Sequence, residues 1–439
     1  MSMNWHQLLC DERVSSRDPS RLSPSKPEPY RTAFEADYDR IVYAAPFRRL
    51  ARKTQVHPMV PHDHVRNRLT HSIEVASVGR TLARRLACFL IDRGDLPADR
   101  SDDLCQIVQA ACLAHDIGNP PFGHAGEFAI RQWVRTNATM FEPIDGPLDP
   151  GVRLDWEVFE GNAQGFRLAA RADNPHTGYM RLTCATLATI IKYPWDATDD
   201  RARERGKHNV FSTERAIFES LASRMGLHRA DGSIARHPLS FLSEAADDIC
   251  YRILDLEDAV DMGILDEAAV RELLCRFLEQ REDDHLPTAV LRGRVIRRLA
   301  DACSEVFEQE YAAIMAGQHC EDLKSGLPAA IAEGLGRIND HYGTIFADRP
   351  KVAAELGAYE TLGRIIEMCV QAVGVLAAKR SYDATDFLTR RRLELAWGEA
   401  YAREHEQQPY AWWLHQVMDY IAGMTDNYAR QLSREIAGI

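Results

Sequence analysis

Apolar residues recur at helical spacing along almost the entire chain. One helical face between residues 101 and 114 carries Leu104, Ile107, Val108 and Ala111. Comparable faces recur at residues 67–89, 243–260, 291–307, 362–376 and 410–420. Runs that alternate apolar and polar residues, which are typical of strands, are few. The pattern therefore predicts an all-α protein.

Changes in composition and periodicity divide the chain into three regions. Residues 1–30 carry four prolines among Ser, Lys and Arg, which predicts a flexible or surface-draped segment. Residues 31–262 contain the candidate motifs and are expected to form the helical core. Residues 263–439 keep helical periodicity and are expected to pack on that core as part of the same compact unit. A long irregular stretch, a functional lid or a disordered loop, is expected at 135–165.

The stretch 113–127 places several chemically active side chains close together in sequence. His115 continues the apolar face of the preceding helix, so it is expected to point inward beside Asp116. A glycine and two prolines then end the helix, and the following loop carries His124 and Glu127. These are the groups that a divalent-metal hydrolase site requires. The alternative is a His–Asp pair in the core, because such a pair satisfies its own hydrogen bonds.

Two other stretches supply further candidate ligands. His71 lies in the first turn of a long helix, where its imidazole is either a ligand or a partner of the helix end. Asp247, Tyr251 and Asp255 lie four residues apart and share one helical stripe. Such a stripe is either a solvated face or the wall of a pocket that binds a cation and sugar hydroxyls. Proximity to His115 decides between these alternatives.

The charge of the chain restricts the ligands that it can bind. A formal net charge of −12 argues against a protein that coats nucleic acid. A polyanionic ligand therefore requires a local basic pocket. Residues 40–53 contain five basic side chains, which form either anion contacts or a solvated helix face.

The composition also predicts where the protein is found. No apolar run approaches the length of about 18 residues that a membrane span needs, and the first residues lack the pattern of a secretory signal. The ten cysteines are scattered without a Cys-x-x-Cys pair, as expected for buried thiols in a reducing compartment. We therefore expect a cytoplasmic protein with no membrane partner.

His71, His115-Asp116 and Asp247 follow one another in the order His…His-Asp…Asp. In this order the chain resembles the HD superfamily of metal-dependent phosphohydrolases, and still more closely the bacterial deoxyguanosine-triphosphate (dNTP) triphosphohydrolases. The likeness extends from about residue 30 to the end and is densest before residue 260. The matching stretches are Tyr38-Asp-Arg-Ile, Phe47-Arg-Arg-Leu, Lys53-Thr-Gln-Val, Arg68-Leu-Thr-His71, Leu113-Ala-His115-Asp116 through Glu127, Phe159-Glu-Gly-Asn-Ala-Gln164, Lys192-Tyr-Pro-Trp, Glu244-Ala-Ala-Asp247-Asp-Ile-Cys-Tyr251 and Met424-Thr-Asp-Asn-Tyr-Ala.

The resemblance implies a reaction and a cofactor. A 2′-deoxynucleoside triphosphate, dGTP or another dNTP, would be hydrolysed to deoxynucleoside and intact triphosphate. The metal ligands would be His71, His115, Asp116 and Asp247. The metal would be a divalent ion, with Mn²⁺, Mg²⁺, Fe²⁺, Co²⁺, Ni²⁺ and Zn²⁺ as candidates. Mixed imidazole and carboxylate ligands suit the transition metals better than Mg²⁺.

The resemblance also assigns catalytic and substrate-binding residues. His124 matches a catalytic histidine that protonates the leaving 5′ oxygen or handles the proton of water, and Glu127 would orient it. Arg68 matches a phosphate-contacting arginine, and Lys192 is a further candidate for the triphosphate charge. The remaining substrate-binding candidates are Gln55, Asn119, Asn162, Tyr193, Tyr251 and Asp255.

Tyr251 and Asp255 match residues that recognise deoxyribose. A ring under C2′ and a carboxylate on the 3′-hydroxyl leave little room for a 2′-hydroxyl. The chain departs from the pattern at Asn119, where related animal enzymes with SAM and HD domains carry histidine, so their phosphate contact is not transferred. It is also shorter than the best-known enterobacterial dGTPase, so that enzyme's guanine preference and response to single-stranded DNA are not transferred.

Other functions and partners stay open at this point. The chain could be another HD-type phosphohydrolase, such as a nucleotidase or a phosphodiesterase, or a non-catalytic scaffold that binds nucleotides or single-stranded DNA. The resemblance implies a homo-oligomer, with a hexamer as the expected form. A dNTP effector and single-stranded DNA are further candidate partners.

Overall fold

Helices make up almost all of the regular structure in the computed structural model, which describes residues 2–15, 18, 21–26, 28–56, 64–142, 144–171, 180–279 and 286–439. Within these residues the only strands are the short antiparallel pair β1 (Arg13–Val14) and β2 (Leu22–Ser23). The all-α prediction is therefore confirmed.

The first part of the chain carries twelve α-helices. They are α1 (Trp5–Leu8), α2 (Ala33–Tyr43), α3 (Ala45–Arg49), α4 (Arg68–Arg93), α5 (Ser101–Ala114), α6 (His124–Thr136), α7 (Pro150–Glu157), α8 (Gly161–Ala170), α9 (Cys184–Ile190), α10 (Asp200–Arg205), α11 (Arg215–Met225) and α12 (Pro238–Asp261).

Ten further α-helices follow. They are α13 (Glu267–Phe277), α14 (Thr288–Gln309), α15 (Tyr311–Met315), α16 (Ala329–Asn339), α17 (Tyr342–Phe346), α18 (Arg349–Lys379), α19 (Phe387–Ala396), α20 (Glu399–Glu404), α21 (Tyr410–Ala422) and α22 (Asp426–Ala437). Short 3₁₀ turns lie at Leu50–Arg52, Ala98–Arg100, Ala138–Phe141, Ser212–Glu214 and Leu323–Gly326.

Helix ends are set by local sequence. Asn67 caps α4 by accepting hydrogen bonds from the amides of Leu69 and Thr70, and Gly94 ends that helix in the left-handed region at φ 76°. Thr32 and Glu35 form a reciprocal capping box at the start of α2. These caps fix where α2 and α4 begin, and α4 carries His71 in its first turn.

The apolar faces assemble into two separate clusters. In the first, α4 packs along α5 and α12, and α2, α9 and α14 cover them. In the second, α18 packs against α6, α21 and α22 around the buried rings of Trp156 and Trp413. The helices α13, α14 and α16 belong to the first cluster, whereas α6 and α7 belong to the second. The predicted division at residue 262 is therefore not the boundary between the two cores.

The N-terminal segment is the first correction to the sequence-based expectations. Trp5, Leu8 and Val14 are buried in the first cluster, and the indole N–H of Trp5 donates to the hydroxyl of Tyr311 over 2.9 Å. The prediction of a flexible or surface-draped segment is wrong for residues 2–14, because their apolar side chains anchor them.

The stretch 135–165 is also more regular than predicted. Helix α6 continues to Thr136, and α7 and α8 occupy much of the remainder. Asp149 caps α7 by accepting the Gly151 amide over 2.7 Å, and Trp156 of α7 is fully buried. Pro150, one of the prolines that favoured a loop, is instead the first residue of α7.

Helix α18 alone, among the described helices, is long and apolar enough to span a membrane by composition. Its most apolar window is 56% buried inside the fold, and it packs on α6, α19, α21 and α22. Its apolar side chains therefore form part of the second core.

A buried ion-pair network joins three elements of the second core. Arg167 of α8 donates two hydrogen bonds to Asp419 of α21, over 2.8 and 2.9 Å, and one to Glu214 over 2.6 Å. Its side chain is 1% exposed. Arg171 also lies 3.6 Å from Glu214, so Asp419 is the carboxylate that depends most on Arg167.

We expect Arg167→Met to lower the free energy of unfolding by about 3–5 kcal/mol, because it leaves the buried Asp419 carboxylate without its ion-pair partner. Urea denaturation followed by circular dichroism at 222 nm measures the change. The matched control is Arg391→Met, which removes an exposed pair with Glu394 and should leave the unfolding curve almost unchanged. Equal curves for the two variants would contradict the structural role of this network.

Candidate metal centre and cleft

Four residues from three distant parts of the sequence converge where α4, α5 and α12 meet. His71, His115 and Asp116 offer ligand atoms that all lie within 4.8 Å of one another. Oδ1 of Asp247 lies 3.1 Å from Nε2 of His71 and 3.4 Å from Nε2 of His115. The structure therefore brings together all four residues predicted as metal ligands.

The orientation of two side chains fits a bound cation. Nδ1 of His115 lies 2.6 Å from the carbonyl oxygen of Cys112, so Nδ1 carries the proton and the lone pair of Nε2 is directed at the cluster. Oδ1 of Asp116 accepts hydrogen bonds from Arg68 and Asn119, over 2.8 and 2.6 Å. Within the described residues, Nε2 of His115 and Oδ2 of Asp116 are buried without a hydrogen-bond partner. Two buried acceptors without donors are what a divalent ion would satisfy.

The alternative of a core pair, in which His115 and Asp116 hydrogen-bond to each other, does not fit this geometry. Nε2 of His115 lies 3.6 Å from the nearer oxygen of Asp116, which is too long for a hydrogen bond. The histidine ring instead makes an edge contact with His71, with centroids 5.4 Å apart.

The electrostatics keep both carboxylates ionised. Burial alone would raise the pKa of Asp247, but Lys192 and His115 outweigh it and hold that pKa well below its usual range. Burial likewise opposes ionisation of Asp116, and the Arg68 guanidinium is the main group that lowers its pKa. Burial disfavours the charged form of His115, yet the two carboxylates raise its pKa. Anionic ligands of this kind are ready to bind a cation at neutral pH.

A cleft of about 540 Å³ opens beside the cluster. Its lining includes most of the predicted site residues: Gln55, Arg68, His115, Asp116, Asn119, His124, Asn162, Lys192, Tyr193, Asp247 and Tyr251. His71, Glu127 and Asp255 lie outside this lining. His71 and Glu127 nevertheless contact lining residues directly, whereas Asp255 is shielded.

His124 is held at the start of α6 so that one ring nitrogen faces the cleft. Its side chain is 70% exposed, and Nδ1 lies 2.9 Å from Oε2 of the buried Glu127. The other oxygen of Glu127 accepts the Gly161 amide over 2.7 Å. Burial opposes ionisation of Glu127, but the hydrogen bond from His124 and the charge of Lys207 lower its pKa to about 2. The ionised carboxylate therefore keeps the proton on Nδ1 of His124 and leaves Nε2 available.

Gly118 permits a close approach between the turn that follows α5 and the backbone of α8. A Cβ at this position would lie 2.0 Å from the amide nitrogen of Gly165 and 2.1 Å from the carbonyl oxygen of Gly161. No larger residue fits without separating the end of α5 from α8. Helix α5 ends at Ala114, before the glycine that was predicted to end it, and Gly118 instead brings the turn after α5 against α8, whose first amide binds Glu127.

The structure separates Tyr251 from Asp255. Tyr251 lines the cleft, and its ring stacks on Tyr342 with centroids 5.5 Å apart and planes 5° apart. Asp255 is 2% exposed and accepts a long hydrogen bond of 3.4 Å from the Tyr342 hydroxyl. Burial raises the pKa of Asp255 well above its usual range. The single stripe predicted along α12 is therefore divided, with only Asp247 and Tyr251 facing the cleft.

Several lining residues escaped sequence analysis. Lys207 lies in the highly charged stretch 196–208, and its ammonium lies 3.0 Å from Glu160 and 4.0 Å from Glu127. Phe346 and Lys351 enter the cleft lining from α17 and α18. Glu160 is the one with a sequence signal, because it belongs to the matching stretch at 159–164. The others are brought to the cleft only by tertiary packing.

The basic residues at 40–53 do not form one anion-binding face. Lys53 is 2% exposed and donates to the carbonyl oxygens of Asn119 and Ala422, each over 2.6 Å. Its burial lowers its pKa to about 7. Arg48 is exposed, and Arg49 lines a different cavity. The anion-contact interpretation of this stretch does not apply to the cleft, where the nearby lining residues are the uncharged Thr54, Gln55 and Val56.

Comparisons with known proteins agree with this geometry. The HD domain family matches residues 68–161, and the phosphohydrolase-associated domain family matches residues 386–435. The chain is 40% identical to a deoxyguanosinetriphosphate triphosphohydrolase-like protein of Pseudomonas aeruginosa over 463 aligned residues, covering 99% of each chain. It is 37% identical to one of Synechocystis, covering 100% of each chain. It is also 36% identical to a deoxyguanosinetriphosphate triphosphohydrolase of Enterobacter over 60% of this chain and 55% of that protein.

We expect His115→Ala and Asp247→Ala each to weaken Mn²⁺ binding by more than about 100-fold, since even outer-shell changes at metal sites cost about 10–100-fold. Isothermal titration calorimetry measures the affinity, and circular dichroism confirms that helicity is kept. His228→Ala is the control, because that exposed histidine bonds to Ser223 away from the cluster. Wild-type affinity in Asp247→Ala would remove Asp247 from the ligand set.

Proposed function

The chain belongs to the family of deoxyguanosinetriphosphate triphosphohydrolase-like proteins and carries an HD domain, and on this basis we propose that it hydrolyses 2′-deoxynucleoside triphosphates, dGTP among them, to deoxynucleoside and inorganic triphosphate. Family membership supports a hydrolase of the HD phosphohydrolase type. The observation that carries the finer proposal is the convergence of His71, His115, Asp116 and Asp247 on the cleft that also receives His124.

The two imidazoles and two carboxylates would hold a divalent ion. When bound, such an ion polarises a phosphoryl oxygen and lowers the pKa of water. Arg68 and Lys192 are already committed to orienting the carboxylates, through bonds of 2.8 Å to Asp116 and 2.7 Å to Asp247. Both also line the cleft, so each can contact a phosphate oxygen while it holds its carboxylate.

His124 is the group placed to move a proton. Glu127 fixes its tautomer, so the exposed Nε2 can protonate the leaving 5′ oxygen when the ring is charged or accept a proton from water when it is neutral. Lys207 and Glu160 complete the charge balance behind Glu127. Glu127 acts through His124 and is therefore a positioning residue.

The sugar pocket would lie further along α12. Asp247 and Tyr251 are four residues apart on this helix, so Tyr251 lies about 6 Å further along the axis from the metal cluster. With the α-phosphate at the metal, its ring would lie beneath the deoxyribose. Contact between Asp255 and a 3′-hydroxyl, as the family resemblance implies, would require Tyr342 to move aside, because its hydroxyl now covers that carboxylate.

We further propose that the protein acts in the cytoplasm as a homo-oligomer. Helix α19 exposes the apolar side chains of Phe387, Leu388 and Leu395. An exposed apolar surface of this kind supports association between copies. A hexamer, a dNTP effector and single-stranded DNA as a partner belong to the same proposal.

Identification of the products tests the proposed reaction. We expect the full chain with Mn²⁺ to release equal amounts of deoxynucleoside and triphosphate from at least one of the four dNTPs, and His124→Ala to lose most of this turnover. Anion-exchange chromatography separates triphosphate from orthophosphate and pyrophosphate. Release of orthophosphate or pyrophosphate in its place would identify a nucleotidase or another HD-type phosphohydrolase. Nucleotide binding without turnover would identify a scaffold.

We expect Tyr251→Ala to relax discrimination against ribonucleotides. In the wild type a 2′-hydroxyl would be buried against the ring without a partner, at a cost of about 1–3 kcal/mol. Removal of the ring should therefore reduce the ratio of kcat/KM for dGTP over GTP by about fivefold or more. Tyr359→Ala, which alters a half-exposed ring outside the cleft lining, is the control. If Tyr251→Ala lost activity but kept full discrimination, the residue that excludes the 2′-hydroxyl would lie elsewhere.

A further inference from the structure

A second cavity lies on the other side of the turn that joins α21 to α22. It has a volume of about 320 Å³, and its walls include Arg49, Trp397, Tyr401, Tyr420 and Tyr428. None of these residues lines the metal-site cleft. The cavity is therefore separate from the site described above, and its volume is within the usual range for small-ligand sites of about 300–1,000 Å³.

Arg49 supplies a positive charge to this cavity. Its guanidinium donates one hydrogen bond of 3.2 Å to the carbonyl oxygen of Gly423, and no described carboxylate forms an ion pair with it. Asp419, the acidic residue in the cavity wall, is occupied by Arg167 and Gln164. Burial lowers the pKa of Arg49, yet a guanidinium remains charged at neutral pH. A half-buried cation without a counterion favours an anionic ligand.

Aromatic rings form the rest of the wall. Trp397 and Tyr420 have ring centroids 5.5 Å apart and are tilted by 44°. The hydroxyls of Tyr420 and Tyr428 lie 3.2 Å apart, and Tyr401 closes the base at 8% exposure. Rings of this kind present flat apolar surfaces on which a planar ligand can stack.

We propose that this cavity binds a small planar aromatic anion, with its ring on Trp397 and Tyr420 and its phosphate or carboxylate on Arg49. A nucleoside monophosphate and an aromatic carboxylate share this chemistry. The proposal does not rest on the proposed hydrolase function, because binding here requires none of the metal ligands.

A ligand bound in this cavity is expected to affect the metal-site cleft through one short segment of the chain. The cavity wall includes Gly423 and Thr425, and the next residue, Asp426, accepts the amides of Thr54 and Phe122 over 2.9 and 3.0 Å. Thr54 and Phe122 line the metal-site cleft. Phe122 has a positive φ of 66°, a strained conformation that its bond to Asp426 helps to hold. A ligand that orders this wall should therefore stabilise the same two amides.

Photolabelling of the full chain tests the site directly. The probe is 8-azidoguanosine 5′-monophosphate without added metal, and indole-3-acetate is the competitor that represents aromatic carboxylates. We expect labelled peptides from the regions 396–401 or 420–428. Arg49→Met should raise the probe concentration needed for half-saturation by about tenfold or more, as expected for loss of a charge-assisted hydrogen bond. Arg48→Met, which removes the neighbouring exposed arginine, should label as the wild type does.

A second variant and hydrogen exchange test the same cavity independently of Arg49. Tyr428→Ala removes a ring that is 43% exposed and should also weaken labelling while the helical content stays intact. Hydrogen exchange should slow at the amides of Thr54 and Phe122 when the cavity is filled. Labelling that indole-3-acetate does not reduce identifies a nucleotide as the ligand. Binding of indole-3-acetate that is seen by calorimetry and depends on Arg49, without labelling by the nucleotide probe, identifies an aromatic carboxylate as the ligand. Labelling confined to the metal-site cleft with no binding of indole-3-acetate, or equal binding by Arg49→Met and the wild type, would overturn the proposal.

Discussion

A buried carboxylate and a half-buried one, held beside two imidazoles, are the constraint on which the rest of this structure depends. Isolated buried charges are costly, so Asp116 and Asp247 persist as anions only because Arg68 and Lys192 lie against them. Each cation occupies one oxygen of its carboxylate, and other lone pairs stay directed at the cluster. The surrounding helices must hold these groups in place before any ligand binds.

Three helices satisfy that requirement by packing as one unit. The apolar faces of α4, α5 and α12 share the first core, so the segments that carry His71, His115 and Asp247 cannot move independently. Gly118 then brings the end of α5 against α8, whose first amide binds Glu127 and thereby orients His124. The metal cluster and the proton-transfer group are thus coupled through backbone contacts.

The turn between α21 and α22 connects the two cores. Lys53 donates to the carbonyl oxygen of Ala422, and Asp426 holds the amides of Thr54 and Phe122. In this way the C-terminal helices, which match the phosphohydrolase-associated domain, hold two segments that line the cleft without lining it themselves. The same turn borders the second cavity, which explains why a ligand there would influence residues that line the metal-site cleft.

The sequence by itself determined the helical class of the fold, because apolar spacing is a local property that survives in a single chain segment. It also identified the four clustered residues and the His124–Glu127 pair, since their motif order resembles that of a known family. Only the tertiary structure decided that Lys207 turns toward the cleft, that Tyr342 covers Asp255, and that the N-terminal residues are buried. These outcomes depend on contacts between residues far apart in sequence, and such contacts leave no periodic signal in the segments that make them.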